Sequence, residues 1–311
     1  MKRMVTGAVA LSLAGAAFAQ QVYTGGFYSQ GFNSLASSGT VTRPTSTTGT
    51  AAVTGQTWSN NSTITGWYST FENSANVGLA SPVGTAGNWV NAGVVNSPSP
   101  HTIPDYNTKF MRIGTGTLST GSFYNFGSSA TPADRALGAL NSGGDTTPLR
   151  NSFGIRFTNG TSGTLTQFTI SYWGEQWRKG NSTPTSNDAS DRMDFSYKTY
   201  SAGSFLIDDM RFGATGWTDE NTADLNSVVL MGSSGALDGN ATANRVLITS
   251  TVTGLNWQSG EDLVLRWTDF DRASSDDGLA VDDLEFNAVP EPATMAVLGL
   301  GLAALARRKR K

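Results

Sequence analysis

Residues 165–177 read LTQFTISYWGEQW. Apolar and polar side chains alternate along this stretch, the period-two pattern of a strand with one face turned to a core. Phe168, Ile170 and Tyr172 fall on one face; Thr169, Ser171, Trp173, Glu175 and Trp177 fall on the other. Working outward, "FGIRFTN" puts Phe153, Ile155 and Phe157 together, and "DLVLRWT" does the same for Leu263, Leu265 and Trp267. "RMDFSYKT", "FLIDDMRF", "RVLITSTVT" and "LAVDDLEF" read as further strands, separated by Gly, Asn, Asp and Ser turns. Half-buried strands with polar outer faces predict an all-β protein, an antiparallel sandwich and not a parallel α/β sheet.

Composition supports that class. The chain holds 36 Gly and only 14% charged residues, unlike a long helical protein. Residues 20–60 are rich in Thr, Ser and Gly, with Phe27, Phe32, Leu35 and Trp58 as packing candidates, and predict an N-terminal strand with long loops. "WSNNSTITGWYSTF" predicts a strand pair, and "TPADRALGAL" is the one place where a helical turn is expected in the body. No fixed repeat and no clean linker divides residues 20–288, which predicts a single β-sandwich domain of jelly-roll or concanavalin-like type. There is no cysteine, so disulfides, zinc-cysteine sites and thiol catalysis are excluded and burial has to hold the fold. The single histidine, His101, sits in the proline-rich "SPSPHTIPDY" and reads as loop surface; any Ser-His-Asp triad would have to use it.

The two ends read as addresses. Lys2 and Arg3 precede a short apolar run, and Ala17-Phe18-Ala19 is a small-x-small site, so residues 1–19 predict a signal peptide cut by signal peptidase. At the other end Ala293 to Ala306 is apolar. As a helix it would reach roughly 21 Å, short of a bilayer core of about 30 Å. Arg307, Arg308, Lys309, Arg310 and Lys311 follow, a cluster that stays on the cytoplasmic side. A proline turn, a short hydrophobic helix and a basic cluster predict a temporary stop in the inner membrane, with the body outside. The chain's net charge is −3, and without the seven basic residues of the two ends it is about −10. That disfavours nucleic acid as a partner and admits cations.

This tail, Pro290-Glu291-Pro292 followed by the apolar run and the basic cluster, resembles the PEP-CTERM sorting signal. The resemblance covers residues 289–311. It implies a Gram-negative-type bacterium, recognition by an exosortase, and release to the cell surface or exopolysaccharide matrix. "SYWGEQWRKG", "DRALG" and "GLAVDD" also resemble body segments of other PEP-CTERM proteins, a similarity that transfers no activity.

Two constellations could carry chemistry. "TDFDRASSDDGLAVDD" crowds Asp269, Asp271, Asp276, Asp277, Asp282 and Asp283 into one stretch, and calcium takes six to eight oxygen ligands. The spacing is not that of an EF-hand, because Ala273 and Ser274 stand where an acid and a glycine belong. "GLAVDDLEF" resembles the last strand of jelly-roll carbohydrate-binding modules, which implies Asp282 as a calcium ligand, with Asp271, Asp276 and Asp277 as further candidates. Strand alternation sets Asp208 beside Leu206, Met210 and Phe212, and Asp282 beside Ala280, Leu284 and Phe286, where a bare carboxylate would be costly. The alternative is a solvated acidic turn with Asp282 paired to an arginine. The second constellation is Trp173, Glu175 and Trp177 on one strand face: flat aromatics beside a carboxylate can stack a sugar ring and accept its hydroxyls. The competing reading has both indoles covering a second core layer, with Glu175 bonded to Arg178 or Lys179.

No P-loop, G-x-S-x-G elbow or H-E-x-x-H motif is present, and no E-x-D-x-x-E arrangement supplies Glu175 with a second carboxyl for glycoside hydrolysis. The sequence therefore predicts a non-enzymatic structural or adhesive protein within exopolysaccharide or biofilm. A carbohydrate-binding module with structural calcium is the second reading, and a glycan-active hydrolase the third.

Overall fold

The strand Asp262–Phe270 (DLVLRWTDF) shows what organises the chain, because almost every residue in it is buried. Its odd-numbered Leu263, Leu265 and Trp267 enter the main core, and Val264 enters a second, smaller cluster on the opposite side. The computed structural model describes residues 20–44, 50–73, 109–141, 148–181, 191–211, 214–271 and 275–290. The predicted signal peptide, His101, Phe212 and residues 291–311, with the predicted apolar helix, lie outside the described residues.

In chain order the strands are β1 (Gln21–Tyr23), β2 (Phe27–Gln30), β3 (Thr40–Pro44), β4 (Thr50–Trp58), β5 (Trp67–Asn73) and β6 (Lys109–Gly114). They continue as β7 (Ser122–Phe126), β8 (Ala136–Leu140), β9 (Pro148–Asn159), β10 (Leu165–Lys179), β11 (Arg192–Tyr200) and β12 (Thr218–Asp219). The last are β13 (Leu225–Asn226), β14 (Gly235–Ala236), β15 (Arg245–Trp257), β16 (Asp262–Phe270) and β17 (Gly278–Val289). A seven-stranded sheet runs β1-β9-β16-β11-β12, with β5 also on β9 and β13 also on β11. A ten-stranded sheet runs β14-β10-β17-β8-β7-β6-β4-β3, with β15 also on β10 and β2 also on β17. Among the described residues the only helical turns are short 3₁₀ segments, so the protein is all-β.

The two sheets pack face to face over an aromatic core. Trp267 of β16 stands in a ring of aromatics: Phe195 at 5.1 Å, Tyr172 at 5.5 Å, Phe153 at 5.9 Å and Trp67 at 6.1 Å between ring centres. Tyr172 belongs to the ten-stranded sheet and the other three to the seven-stranded one, so this cluster spans the sandwich. Phe157 stacks on Phe286 at 4.5 Å in the same way. The expected core faces of β9, β10 and β16 are all buried.

Several expectations are corrected. The sheets are mixed: β1 runs parallel to β9, and β6 parallel to β7. Trp58 to Phe71 is not a strand pair, because β4 joins β6 in one sheet and β5 joins β9 in the other; the connection crosses the sandwich through a turn with Asn61 at φ 58°. "TPADRALGAL" makes a single turn, closed by Asp134 N donating to the Thr131 carbonyl at 3.0 Å, and then strand β8. "FLIDDMRF" is not a strand, since Ile207–Met210 is a 3₁₀ turn. That segment lies over the outer face of the seven-stranded sheet, where Phe205 and Met210 join Tyr68, Tyr200 and Val264, with Trp217 packed alongside. The outer face of β16, with Asp262, Arg266 and Thr268 beside Val264, is polar as expected but buried. Of the N-terminal candidates, Phe32, Leu35 and Trp58 are in the core, but Phe27 is 80% exposed.

Truncating Trp267 leaves a cavity bridged by both sheets. Trp267→Ala is expected to lower unfolding stability by about 3–5 kcal/mol in a denaturant titration. Phe27→Ala should stay within about 0.5 kcal/mol of the parent.

Candidate functional site

β10 lies between β15 and β17, and its core residues fix which side chains face outward. Phe168, Ile170 and Tyr172 point inward. Thr169, Ser171 and Trp173 line the outer surface and stay partly exposed. Two hydroxyl pairs tie this surface to β15: Thr169 with Thr251 at 2.9 Å and Ser171 with Thr249 at 3.0 Å. Such cross-strand Thr/Ser pairs stabilise sheets. The Arg245 guanidinium lies 4.4 Å above the Trp173 ring.

The outer surface dips into a groove. One section, of about 390 Å³, is lined by Ser29, Gln30, Gly31, Ser171, Trp173, Leu247, Asp283 and Glu285. A second, of about 240 Å³, shares Ser171 and Glu285 with it and adds Phe27, Thr169, Phe286 and Asn287. Four strands contribute: β2, β10, β15 and β17. The lining combines hydrogen-bonding carboxyl, amide and hydroxyl groups with apolar walls at Phe27, Trp173 and Leu247. Phe27 and Leu247 are exposed, at 80% and 54%.

The predicted trio of Trp173, Glu175 and Trp177 does share this strand face, yet only Trp173 reaches the groove. Glu175 is fully buried and Trp177 is 1% exposed. Trp177 stacks on Phe126 at 5.9 Å, in a second core with Tyr124, Ala136, Leu140 and Ala280. Glycines close over it: a Cβ on Gly116 would sit 1.7 Å from the Trp177 carbonyl oxygen, and one on Gly239 would sit 2.4 Å from the indole. The trio is thus no stacking platform, because two of its three side chains are buried under segments that the strand pattern could not place. Glu175 is not bonded to Arg178 or Lys179 either. It accepts a hydrogen bond from Trp177 Nε1 at 3.0 Å, and its other oxygen, Oε1, is buried with no hydrogen-bond partner.

Asp282 also departs from expectation. A bulge sits opposite Tyr172, with Asp283 at φ 46°, and an extra residue in one strand shifts the inward–outward alternation. Leu284 and Phe286 consequently join the main core, while Asp282 shares the opposite face with Ala280, next to Glu175. Asp282 lies across from Trp173, and Ala280 across from Glu175, so the two carboxyls are diagonal neighbours. Sequence reading missed this pair, because the two residues are more than one hundred positions apart. Burial raises the Glu175 pKa to about 7, against the Trp177 hydrogen bond. Burial, and then the nearby Glu175 charge, raise that of Asp282 to about 9.

The remaining calcium candidates lie elsewhere. Asp277 is fully engaged: Oδ1 accepts from Gly180 N at 2.5 Å and Lys179 Nζ at 3.4 Å, and Oδ2 accepts from Ser227 Oγ at 2.6 Å and Gln176 Nε2 at 2.8 Å. The pKa of Asp276 is raised to about 10 by burial and then by Asp191, Asp269 and Asp271. Among the described residues no three acidic side chains come together so as to hold a metal ion. Asp282 stands apart from the other three candidates, because the bulge in β17 sets it across from Trp173 and beside Glu175.

Carboxyls with raised folded-state pKa values hold their protons more tightly folded than unfolded, so their contribution to stability is lost as pH rises through those values. The thermal midpoint is expected to fall between about pH 5 and about pH 9, and Asp282→Asn, which keeps the acceptor for Asp283 N, should flatten that fall. A midpoint that rises over this range would contradict the assignment.

No curated protein matches the chain in sequence. Among solved structures, TmCBM61 in complex with β-1,4-galactotriose is similar at 6% identity and TM-score 0.24, over 50% of this chain and 71% of that one. The CBM22-1–GH10 modules of Clostridium thermocellum xylanase 10B, complexed with xylohexaose, are similar at 7% identity and TM-score 0.26, over 55% of this chain and 25% of that one. The K3 cleaved adhesin domain of Lys-gingipain from Porphyromonas gingivalis is similar at 12% identity and TM-score 0.27, over 50% of this chain and 74% of that one. At such scores these likenesses leave function to the chain's own residues. Among the described residues no helix is long and apolar enough to cross a membrane. Residues 288–311 match the PEP-CTERM protein-sorting motif, so this chain carries the C-terminal signal of an exported protein, anchored transiently in the membrane before an exosortase processes it.

Proposed function

We propose that the protein is a structural and adhesive component of the bacterial surface or extracellular matrix, and that it holds glycan chains in the groove over β2, β10, β15 and β17. The groove is the observation that carries this reading. It is long, open and lined by Gln30, Ser171, Asp283, Glu285 and Asn287, groups suited to the hydroxyl donors of a sugar. Phe27 and Trp173 supply flat apolar contact at its sides, the usual complement to such polar groups. Its acidic character favours neutral or amino-sugar polymers over polymers of uronic acids, since like charges brought together are destabilising. Glu175 and Asp282 lie beneath this surface, only 0% and 3% exposed; a hydrolase would need its two carboxyls open to substrate. The reading is accordingly one of binding without turnover.

The test is a pull-down and titration against matrix polysaccharide, with neutral and uronic-acid glycans compared. Trp173→Ala and Phe27→Ala are each expected to weaken binding about tenfold, equivalent to about 1.4 kcal/mol, while Glu175→Gln leaves it unchanged. Absence of saturable binding to any glycan would leave a purely structural role. For the sorting signal, replacing Pro290, Glu291 and Pro292 together by alanine is expected to hold the protein in the membrane fraction, read by fractionation and blotting.

A further inference from the structure

Most of the sheet edges in this protein are protected in familiar ways. An edge strand presents unpaired N–H and C=O groups, and proteins blunt it by shortness, charge or proline. The β3 edge has five residues and carries Arg43 and Pro44. The edges formed by β12, β13 and β14 have two residues each, β1 has three, and β5 carries Glu72. β15 is the exception. It is thirteen residues long, and from Val246 to Trp257 it contains no charged residue and no proline. It pairs with β10 on one side, and no backbone hydrogen bond among the described residues reaches its other side. Its outward row of Leu247, Thr249, Thr251 and Thr253 is exposed.

We propose that β15 is a self-association edge, and that its occupant is the β15 of a second copy of this chain, paired antiparallel about a twofold axis near Thr251. Three features favour a second copy. Antiparallel pairing of a strand with itself is self-complementary, which is what a twofold interface requires. The strand brings no like charges together when it meets its own copy. It is also long enough for an extended ladder, which the other edges are not. Pairing joins two ten-stranded sheets into one continuous sheet and extends the Ser/Thr surface of Thr169, Ser171, Thr249 and Thr251 across the axis. Leu247 lines the groove, so the dimer presents two grooves on one outer surface. The inference stands on the edge itself and does not depend on what the grooves bind.

The chain has no cysteine, which makes a single introduced thiol a clean reporter. Thr249→Cys, Thr251→Cys and Thr253→Cys would be made separately, and the processed protein purified from cells that export it. Directly opposed residues on antiparallel strands have Cα atoms about 4.5–5.5 Å apart, within disulfide reach. The expected result is a dimer by analytical ultracentrifugation, with oxidative cross-linking concentrated at one of the three positions. Thr251→Lys, on an exposed face, should yield a folded monomer by circular dichroism and sedimentation, and mixing it with Thr251→Glu should restore the dimer. A parent protein that stays monomeric at every concentration would overturn the proposal. So would a dimer that cross-links at none of the three positions and survives Thr251→Lys. Glycan binding measured on the Thr251→Lys monomer separates the two ideas: failure of the groove reading leaves the sedimentation result intact.

Discussion

The contact between Trp267 of β16 and Tyr172 of β10 is where the two sheets of this protein meet, and much of the rest follows from it. Without cysteine the chain has no covalent staple, so the sandwich is held by apolar burial. Trp267 gathers Trp67, Phe153 and Phe195 from its own sheet and Tyr172 from the other. The Tyr172 hydroxyl also donates to the Ala223 carbonyl at 2.7 Å, which binds the β12–β13 connection to the core. Once Tyr172 points inward, Ser171 and Trp173 must point outward. The floor of the groove is therefore a consequence of core packing.

The same alternation creates an electrostatic burden one layer out. Glu175 follows Trp173 on the outer face, but the loops at Gly116 and Gly239 roof that end of the strand, and the bulge at Asp283 turns Asp282 in beside it. Two carboxyls end up in a dry environment, where the charged form is disfavoured. The protein accommodates them with one hydrogen bond from Trp177 Nε1 and one from the Asp283 backbone N–H at 2.8 Å. Asp283 itself, displaced outward by the bulge, becomes part of the groove. A single extra residue in β17 thus buries one acid and exposes its neighbour.

Function and architecture are joined by geometry at β15. This strand provides one wall of the groove at Leu247 and the long uncharged border of the ten-stranded sheet. Linked weak sites raise the effective concentration of each second binding event. The proposed pairing of β15 would repeat the proposed glycan groove across a twofold axis and supply such linked sites to an exported protein.

Residues read from the sequence settled the strand faces of β9, β10 and β16, the all-β class, the absence of disulfides and the C-terminal sorting signal, because each depends on local period or on contiguous residues. Phe153, Ile155, Phe168, Ile170, Leu263 and Trp267 lie where their alternation puts them. What tertiary structure decided was exposure. Alternation assigns a side chain to a face, but whether that face meets water depends on which distant segment lies over it: Gly116 and Gly239 on Trp177, and Phe205 and Met210 on the outside of the seven-stranded sheet. Pairing decided the rest, since the Glu175–Asp282 neighbourhood, and the side of β15 that has no strand partner among the described residues, exist only once strands far apart in the chain are set in register.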